Sequence, residues 1–281
     1  MAKSLELNFQ NFPKHENIDT RNVIKAPKDH YIVAFDFGQL EARGIATSSR
    51  DKVFCNAIWD DFDTHMFWTE KLIEAYPKIL KEFDSKKEIR SDIKTGLVFA
   101  GFYGASEYSI VTHYEKYGVP RNIIHELFEE YWDVYSGVKK WQKDLLDFYS
   151  RNGYIESLTG RRRRAPLSLN KIINFPIQSV CSYDICLGAG DRLSKLAYEL
   201  DKPQYQYRIN IHDDLTFYIP KKSLDEDIEF IAKEMCRVVW DWLIVPLEVE
   251  CSIGTNWGKM EEIAKLRTTN FYPEFKKENF I

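Results

Sequence analysis

The sequence has no apolar run as long as a membrane helix or a secretory h-region, so a soluble chain is expected. It is also short of cysteine. Five residues (Cys55, Cys181, Cys186, Cys236 and Cys251) are an odd number with no CxxC among them, which argues against a disulfide framework and against a zinc site and leaves reduced thiols. There is no basic excess: 39 Lys and Arg stand against 43 Asp and Glu, a net charge of −4, so any nucleic-acid surface must be local. Internal repeats and low-complexity segments are lacking too. What remains is 281 residues with 44% hydrophobic and 29% charged side chains, enough for one large globular domain or two smaller ones.

Periodicity divides the chain. Residues 1–30 are polar and irregular, and then DHYIVAFDF reads as a strand with Ile32, Ala34 and Asp36 on one face and Tyr31, Val33 and Phe35 on the other. From about Asp51 to Ser150 the spacing turns helical, as in Ile123, Ile124, Leu127, Phe128 and Tyr131. The basic run RRRRAP follows, then a helix over about 176–200, the segment YRINIHDDLTFYIP, a helix near 225–243 and a last strand, LEVECSIG. Strand, helical insert, helix, hairpin, helix and strand predict an α+β fold with an antiparallel sheet.

Two features carry chemistry. In YRINIHDDLTFYIP, apolar residues alternate on both sides of HDD, which places Asp213 and Asp214 at a tight hairpin turn. A polar turn is one reading of the pair; a divalent-metal site is the other, and it needs oxygen ligands from elsewhere. Asp36, an acid ending an apolar strand, supplies one if its strand lies beside the hairpin. In IRSDIKTGLVFAGFYGAS, Arg90 and Lys94 are four apart and so are Phe99 and Tyr103; each pair shares a helix face, cations toward one end and aromatics toward the other, which suits a triphosphate and its base.

These segments resemble the family A DNA polymerases, the DNA polymerase I family. DFGQLEARGIA, the Arg90–Gly104 helix and INIHDDL look like its motifs A, B and C, in the family's order, and NFQNFP, DTH, ESLTGRR, NFPIQS and VPLEVECSIGTNWG extend the likeness to about residue 260. The resemblance implies a right-hand polymerase architecture, an antiparallel palm sheet with an inserted helical fingers domain, divided as 1–50 palm, 51–165 fingers, 166–260 palm and 261–281 tail. It implies DNA-templated DNA synthesis with two Mg²⁺ ions held by Asp36 and Asp213, with Asp214 a helper. Arg90, Lys94 and His65 would meet the triphosphate, Phe99 and Tyr103 the base, and Gln39 and Glu41 the nucleotide, Glu41 crowding a ribose 2′-hydroxyl. Primer-template contacts would come from Lys14, His15, Arg43, Arg161, Arg162, Lys171 and His212, with Asn174 and Gln178 reading minor-groove acceptors.

The chain also departs from the family. Its helix motif is spaced R-x3-K-x3-(F/Y)-x3-YG, but Lys94 lies five residues before Phe99. One extra residue turns a regular α-helix by about 100°, so either a π-bulge restores the phase or Lys94 reaches the phosphates differently, and the segment Arg90–Tyr103 is expected to depart from regular α-helix. A family arginine after the QNxP stretch is His15 here, beside Lys14, and the one before the Asn/Gln helix is Asn170, followed by Lys171. Only 35 residues precede Asp36, whereas the family's exonuclease domain and thumb precede motif A. Either the chain is a fragment of a longer polypeptide, or it is one part of a split polymerase whose second polypeptide carries the thumb, with or without a 3′–5′ exonuclease; the initial Met1 and the unusual tail after Gly258 favour the split form, working in the cytoplasm of a bacterial or phage-infected cell. A single-subunit RNA polymerase is the alternative that Glu41 opposes; an accessory DNA-binding subunit is the alternative that intact Asp36 and Asp213 oppose.

Overall fold

The computed structural model describes residues 20–281. In chain order the strands are β1 (His30–Phe37), β2 (Tyr154–Glu156), β3 (Arg162–Arg164), β4 (Ile209–Ile211), β5 (Asp214–Pro220), β6 (Glu248–Asn256) and β7 (Lys259–Arg267). The helices are α1 (Leu40–Ser49), α2 (Lys52–Trp59), α3 (Thr64–Ala75), α4 (Lys86–Ile93), α5 (Phe99–Phe102), α6 (Glu107–Glu115), α7 (Arg121–Val134), α8 (Ser136–Asn152), α9 (Leu169–Gln178), α10 (Gly188–Glu199), α11 (Leu224–Met235) and α12 (Thr268–Phe271). Two π-helical stretches, Lys94–Val98 and Ser179–Leu187, complete the list of longer elements. The fold is the expected α+β with an antiparallel sheet. Two compact units make it up: one comprises the chain up to Leu40 and Val180–Lys276, the other Glu41–Ser179 and Lys277–Ile281. No helix among the described residues is long and apolar enough to cross a membrane.

The first unit is built on a five-stranded sheet in the order β4-β5-β1-β6-β7, every neighbouring pair antiparallel. Directly opposed residues in such a sheet point to the same face. Val33 opposes Phe217 and Ile253, and Phe35 opposes Leu215 and Cys251, which makes one face apolar. Phe35 and Phe217 meet edge to face at 5.7 Å, both fully buried, and α11 packs against β5. Ala34 opposes Thr216 and Ser252, and Asp36 opposes Asp214 and Glu250, which makes the other face polar at its end.

Three segments end differently from their expected bounds. The helix placed at 176–200 begins at Leu169 and passes through a π-helical stretch before α10. The helix placed at 225–243 stops at Met235, and Trp240 stacks on Trp242 at 5.5 Å, a contact between residues two apart that a helix cannot make. The last strand runs on to Asn256 and turns back as β7, so residues 261–267 are sheet. Gly254 permits this hairpin: a Cβ there would lie 2.4 Å from the Lys259 carbonyl oxygen. β7 also brings Lys265 and Arg267 to the buried carboxylate of Glu248, at 3.0 and 3.3 Å.

The second unit is helical, with an aromatic core in which Trp68, Phe102 and Tyr131 are fully buried. Its polar handles are used. Trp68 Nε1 donates to Tyr135 Oη at 3.1 Å, Tyr131 Oη donates to the Val98 carbonyl at 3.0 Å, and Gln142 Nε2 donates to the carbonyls of Gly101 and Phe102 at 3.0 and 2.8 Å. Those three carbonyls belong to the end of the π turn and to α5, the short helix that follows it. The helix break at Lys94–Val98 is thus supported by side chains from α7 and α8.

Candidate active site

In the first unit the sheet's period of two sets the site. β1 carries Asp36 to its end, and antiparallel pairing places it opposite Asp214 on β5 and Glu250 on β6, three carboxylates in a row across adjacent strands. Together with Ala34 and Ser252 they line a cavity of about 280 Å³. Asp213 precedes β5 in the turn, and its carbonyl accepts from the Phe37 N–H at 3.2 Å, which ties the turn to the end of β1. His212 beside it is exposed and takes a left-handed conformation, φ 55°. Thr216 Oγ1 donates to Asp214 Oδ1 at 2.8 Å.

The field here is negative. The Cys186 thiol is pushed up to about 12, first by burial and then by the carboxylates of Asp213, Asp214 and Asp36. One side chain therefore reports all three acids of the sequence motifs in one neighbourhood. The Glu250 carboxyl is raised above the ordinary glutamate value by burial and by the like charges of Glu262, Asp36 and Glu248, against the pull of Lys265. Among the described residues no group of three or more His, Cys, Asp or Glu side chains is arranged to hold a metal ion.

In the second unit the cations gather around α3 and α4. Asp63 caps α3, accepting from the Met66 N–H at 2.9 Å, and the same carboxylate takes Arg90 Nε at 2.8 and 3.1 Å. Burial alone would raise the Asp63 carboxyl, but the bonds from Arg90 and Met66 prevail and hold it below its usual value. His65 is 5% exposed, and neither ring nitrogen has a hydrogen-bond partner among the described residues. Burial, then the charges of Arg90 and Lys94, push its pKa down to about 4, so the imidazole is neutral at physiological pH. The His65 and Phe99 rings lie 5.6 Å apart, Lys94 Nζ sits 5.9 Å from the Phe99 ring, and Phe99 stacks with Tyr103 at 6.1 Å. Cations and aromatics thus share a face.

They do so because the helix is not regular. α4 ends at Ile93, Lys94–Val98 is π-helical, and the Phe99 N–H bonds back five residues to the Lys94 carbonyl. The expected departure from regular α-helix is found where the extra residue lies, as a π turn.

The remaining predicted residues are dispersed. Gln178 Nε2 donates to the Glu41 carboxylate and lies 3.5 Å from Tyr103 Oη, so these three side chains meet. Asn174, one turn earlier on α9, has a buried Oδ1 without a hydrogen bond among the described residues. Gln39 is exposed in the turn between β1 and α1, with φ 50°. Arg161 and Lys171 are exposed, and Arg162, on the β2–β3 hairpin, pairs with Glu156 and lies over Tyr154. Arg43, expected at the primer-template, is 2% exposed. Lys14 and His15 lie outside the described residues. Sequence reasoning passed over Glu250, whose alternation with Glu248 was visible but whose facing strand was not, and Asp63, which stood in DTH without a partner.

The profile of DNA polymerase family A matches residues 2–259. The chain is 26% identical over 269 residues to DNA polymerase I of Chloroflexus aurantiacus, covering 92% of this chain and 27% of that protein. It is 27% identical to DNA polymerase I of Bacillus subtilis, covering 90% and 29%, and 27% identical to the thermostable DNA polymerase I of Thermus thermophilus, covering 92% and 31%. The chain therefore spans about three-tenths of the length of these curated relatives. Its fold is similar to that of the POL domain of Pol1 from M. smegmatis, solved in complex with DNA primer-template and dNTP, with a TM-score of 0.73 at 22% identity, covering 90% of this chain and 45% of that one.

Proposed function

This chain belongs to DNA polymerase family A, and from that membership and the two side-chain sets we propose that it carries out template-directed transfer of a deoxynucleotide to a primer 3′-hydroxyl. The observation that carries the proposal is the register of β1 and β5, which sets Asp36 beside Asp214 and the Asp213 turn.

Family A DNA polymerases use divalent metal ions, and the residues of the first unit suit them. Magnesium is a hard cation that takes oxygen ligands, keeps several waters, and binds through one or two carboxylates plus substrate phosphates, so adjacent carboxylates on a polar strand face suffice without a closed cage. Asp36 and Asp213 would hold two Mg²⁺ ions, with Asp214 beside them. Bound there, they would supply charge that lowers the pKa of the attacking hydroxyl and neutralises the leaving pyrophosphate. In the transfer, the primer O3′ bonds to the α-phosphorus as the bond from that phosphorus to the bridging oxygen breaks, and pyrophosphate leaves.

The second unit's residues bind and discriminate. Arg90, oriented by Asp63, and Lys94 place fixed positive charge for the triphosphate. Neutral His65 offers one N–H donor to a phosphate oxygen without the cost of a buried charge. Phe99 and Tyr103 supply the ring surface for base stacking. Glu41, held by Gln178, is the side chain that would crowd a 2′-hydroxyl, which favours dNTP over rNTP. Arg161, Lys171 and His212, which are exposed, and Arg162, once it leaves Glu156, would meet primer-template phosphates, and the half-buried Asn174 and Gln178 would turn to base edges.

Primer extension with Mg²⁺ tests the proposal: the chain should incorporate dNTP in preference to rNTP on a primed template. No dNTP-dependent extension, or equal use of both sugars, would refute it.

A further inference from the structure

We propose that Asp92, His113 and Tyr117 form a clamp that fixes the phase of the π turn and so positions Lys94 and Phe99 for the nucleotide, an inference that rests on the functional reading above. The observations are local. Asp92 lies in the last turn of α4, midway between Arg90 and Lys94. Its carboxylate receives His113 Nε2 at 3.0 Å to each oxygen, with Nε2 carrying the proton, and Tyr117 Oη at 2.9 Å. The Asp92 side chain is only 13% exposed. His113 comes from α6 and Tyr117 from the turn just after it, so one element holds α4 immediately before the helix changes type.

The same imidazole also touches the π turn. A Cβ at Gly96, the middle of Lys94–Val98, would lie 2.5 Å from His113 Nε2, 2.8 Å from its Cδ2 and 3.1 Å from Tyr114 Oη. Only a residue without a side chain lets the ring approach the backbone so closely. His113 is therefore bonded to α4 on one side of the break and packed on bare backbone inside it. Tyr114 is 1% exposed and backs the ring at a centroid distance of 4.8 Å, and burial together with the Asp92 charge keeps its hydroxyl protonated well above the ordinary tyrosine value.

Such a clamp is needed because a π turn is intrinsically poorer than α-helix and persists where its surroundings hold it. Without the clamp, the extra residue can be absorbed elsewhere along α4–α5, and each position it crosses turns by about 100°. Lys94 would then leave the face it shares with Phe99, while Asp63 would still hold Arg90. The Asp92 carboxylate bonds to His113 and Tyr117 and has no hydrogen bond to Arg90 or Lys94 among the described residues; Asp92 and His113 are positioning residues, and their removal should appear in nucleotide binding more than in turnover.

The test uses the full chain with His113→Ala, His113→Gln, Gly96→Ala and the double variant Gly96→Ala/His113→Ala, reading the dNTP KM and kcat in primer extension and amide hydrogen exchange at Phe99. His113→Ala should raise KM about five-fold or more with kcat within about two-fold, and speed Phe99 exchange about ten-fold. His113→Gln keeps an amide donor for Asp92 and should recover most of both. Gly96→Ala should resemble His113→Ala, and the double variant should be no worse than either, because removing the ring makes room for the methyl group. Variants that lose thermal stability yet keep parental KM and Phe99 exchange would overturn the clamp, as would additive effects in the double variant. If the parent shows no dNTP-dependent extension, the functional reading falls and the exchange measurements alone still decide the clamp.

Discussion

The sheet of the first unit and the α4–α5 segment of the second respond differently to irregularity. β6 bulges against β7 at Cys251/Ser252 and again at Ile253/Asn256, yet its pairing with β1 runs unbroken from Ile32 to Phe37. The irregularity is spent on the edge strand, and Asp36 and Glu250 stay opposed. In α4–α5 the extra residue falls between the cationic and aromatic pairs themselves, and nothing to one side can absorb it. The helix widens there into a π turn, with Tyr131, Gln142 and the Asp92–His113 pair supporting it. A strand protects its functional face by having two-fold periodicity and a sacrificial neighbour; a helix has to be held in phase from outside.

If the sheet is the rigid half of this comparison, its acids should be the least forgiving positions. Asp36→Ala should cut nucleotide addition about a thousand-fold or more, the scale of losing several kcal/mol of metal-borne charge stabilisation, while circular dichroism and melting stay near parental. Glu250→Gln on the same face, measured in parallel, should lose far less if its carboxylate is a neighbour to the site and not a ligand in it.

The helical half should be sensitive to pH through His65. Its pKa is 6.5 when exposed and about 4 in the fold. Between those values the unfolded chain binds a proton that the folded chain refuses, so stability falls as pH drops from about 6.5 towards 4 and levels off below, by up to about 3 kcal/mol. Urea melts of the parent and of His65→Gln from pH 7 to 4 should show this slope in the parent and a flatter one in the variant. Next in size, Arg90→Ala should lower kcat/KM about a hundred-fold, as expected for a charge-assisted phosphate contact, and Asp63→Asn should reproduce a fraction of that loss by leaving the guanidinium unoriented. The smallest effect belongs to the sugar gate: Glu41→Ala should raise rNTP use relative to dNTP about ten-fold, and Gln178→Ala should shift the same ratio in the same direction.

What could be read in advance follows from these physics. A period of two and a turn at HDD marked Asp36 and the hairpin acids as candidates, but that β1 lies beside β5 is seen only in the strand pairing. Set against the spacing of the family it resembles, the extra residue between Lys94 and Phe99 marked an irregular helix, and the structure makes it the π turn Lys94–Val98. Glu250 was not readable, since its meaning depends on which strand faces β6, nor was the Asp92–His113 pair, whose members are 21 residues apart with no periodicity linking them. Arg43 stands in a motif expected at the primer-template, and only packing reveals that it is 2% exposed. The segment after Gly258 reads as a charged tail, yet the buried Glu248 carboxylate gives Lys265 and Arg267 a reason to form sheet.

The central claim is that the acids of the first unit support nucleotidyl transfer. Its most direct test is single-nucleotide primer extension with Mg²⁺ by the parent chain and by Asp36→Ala purified in the same way. The account predicts incorporation of the templated dNTP by the parent and essentially none by Asp36→Ala at equal folded concentration. Equal extension by both proteins, or none by either, would contradict it.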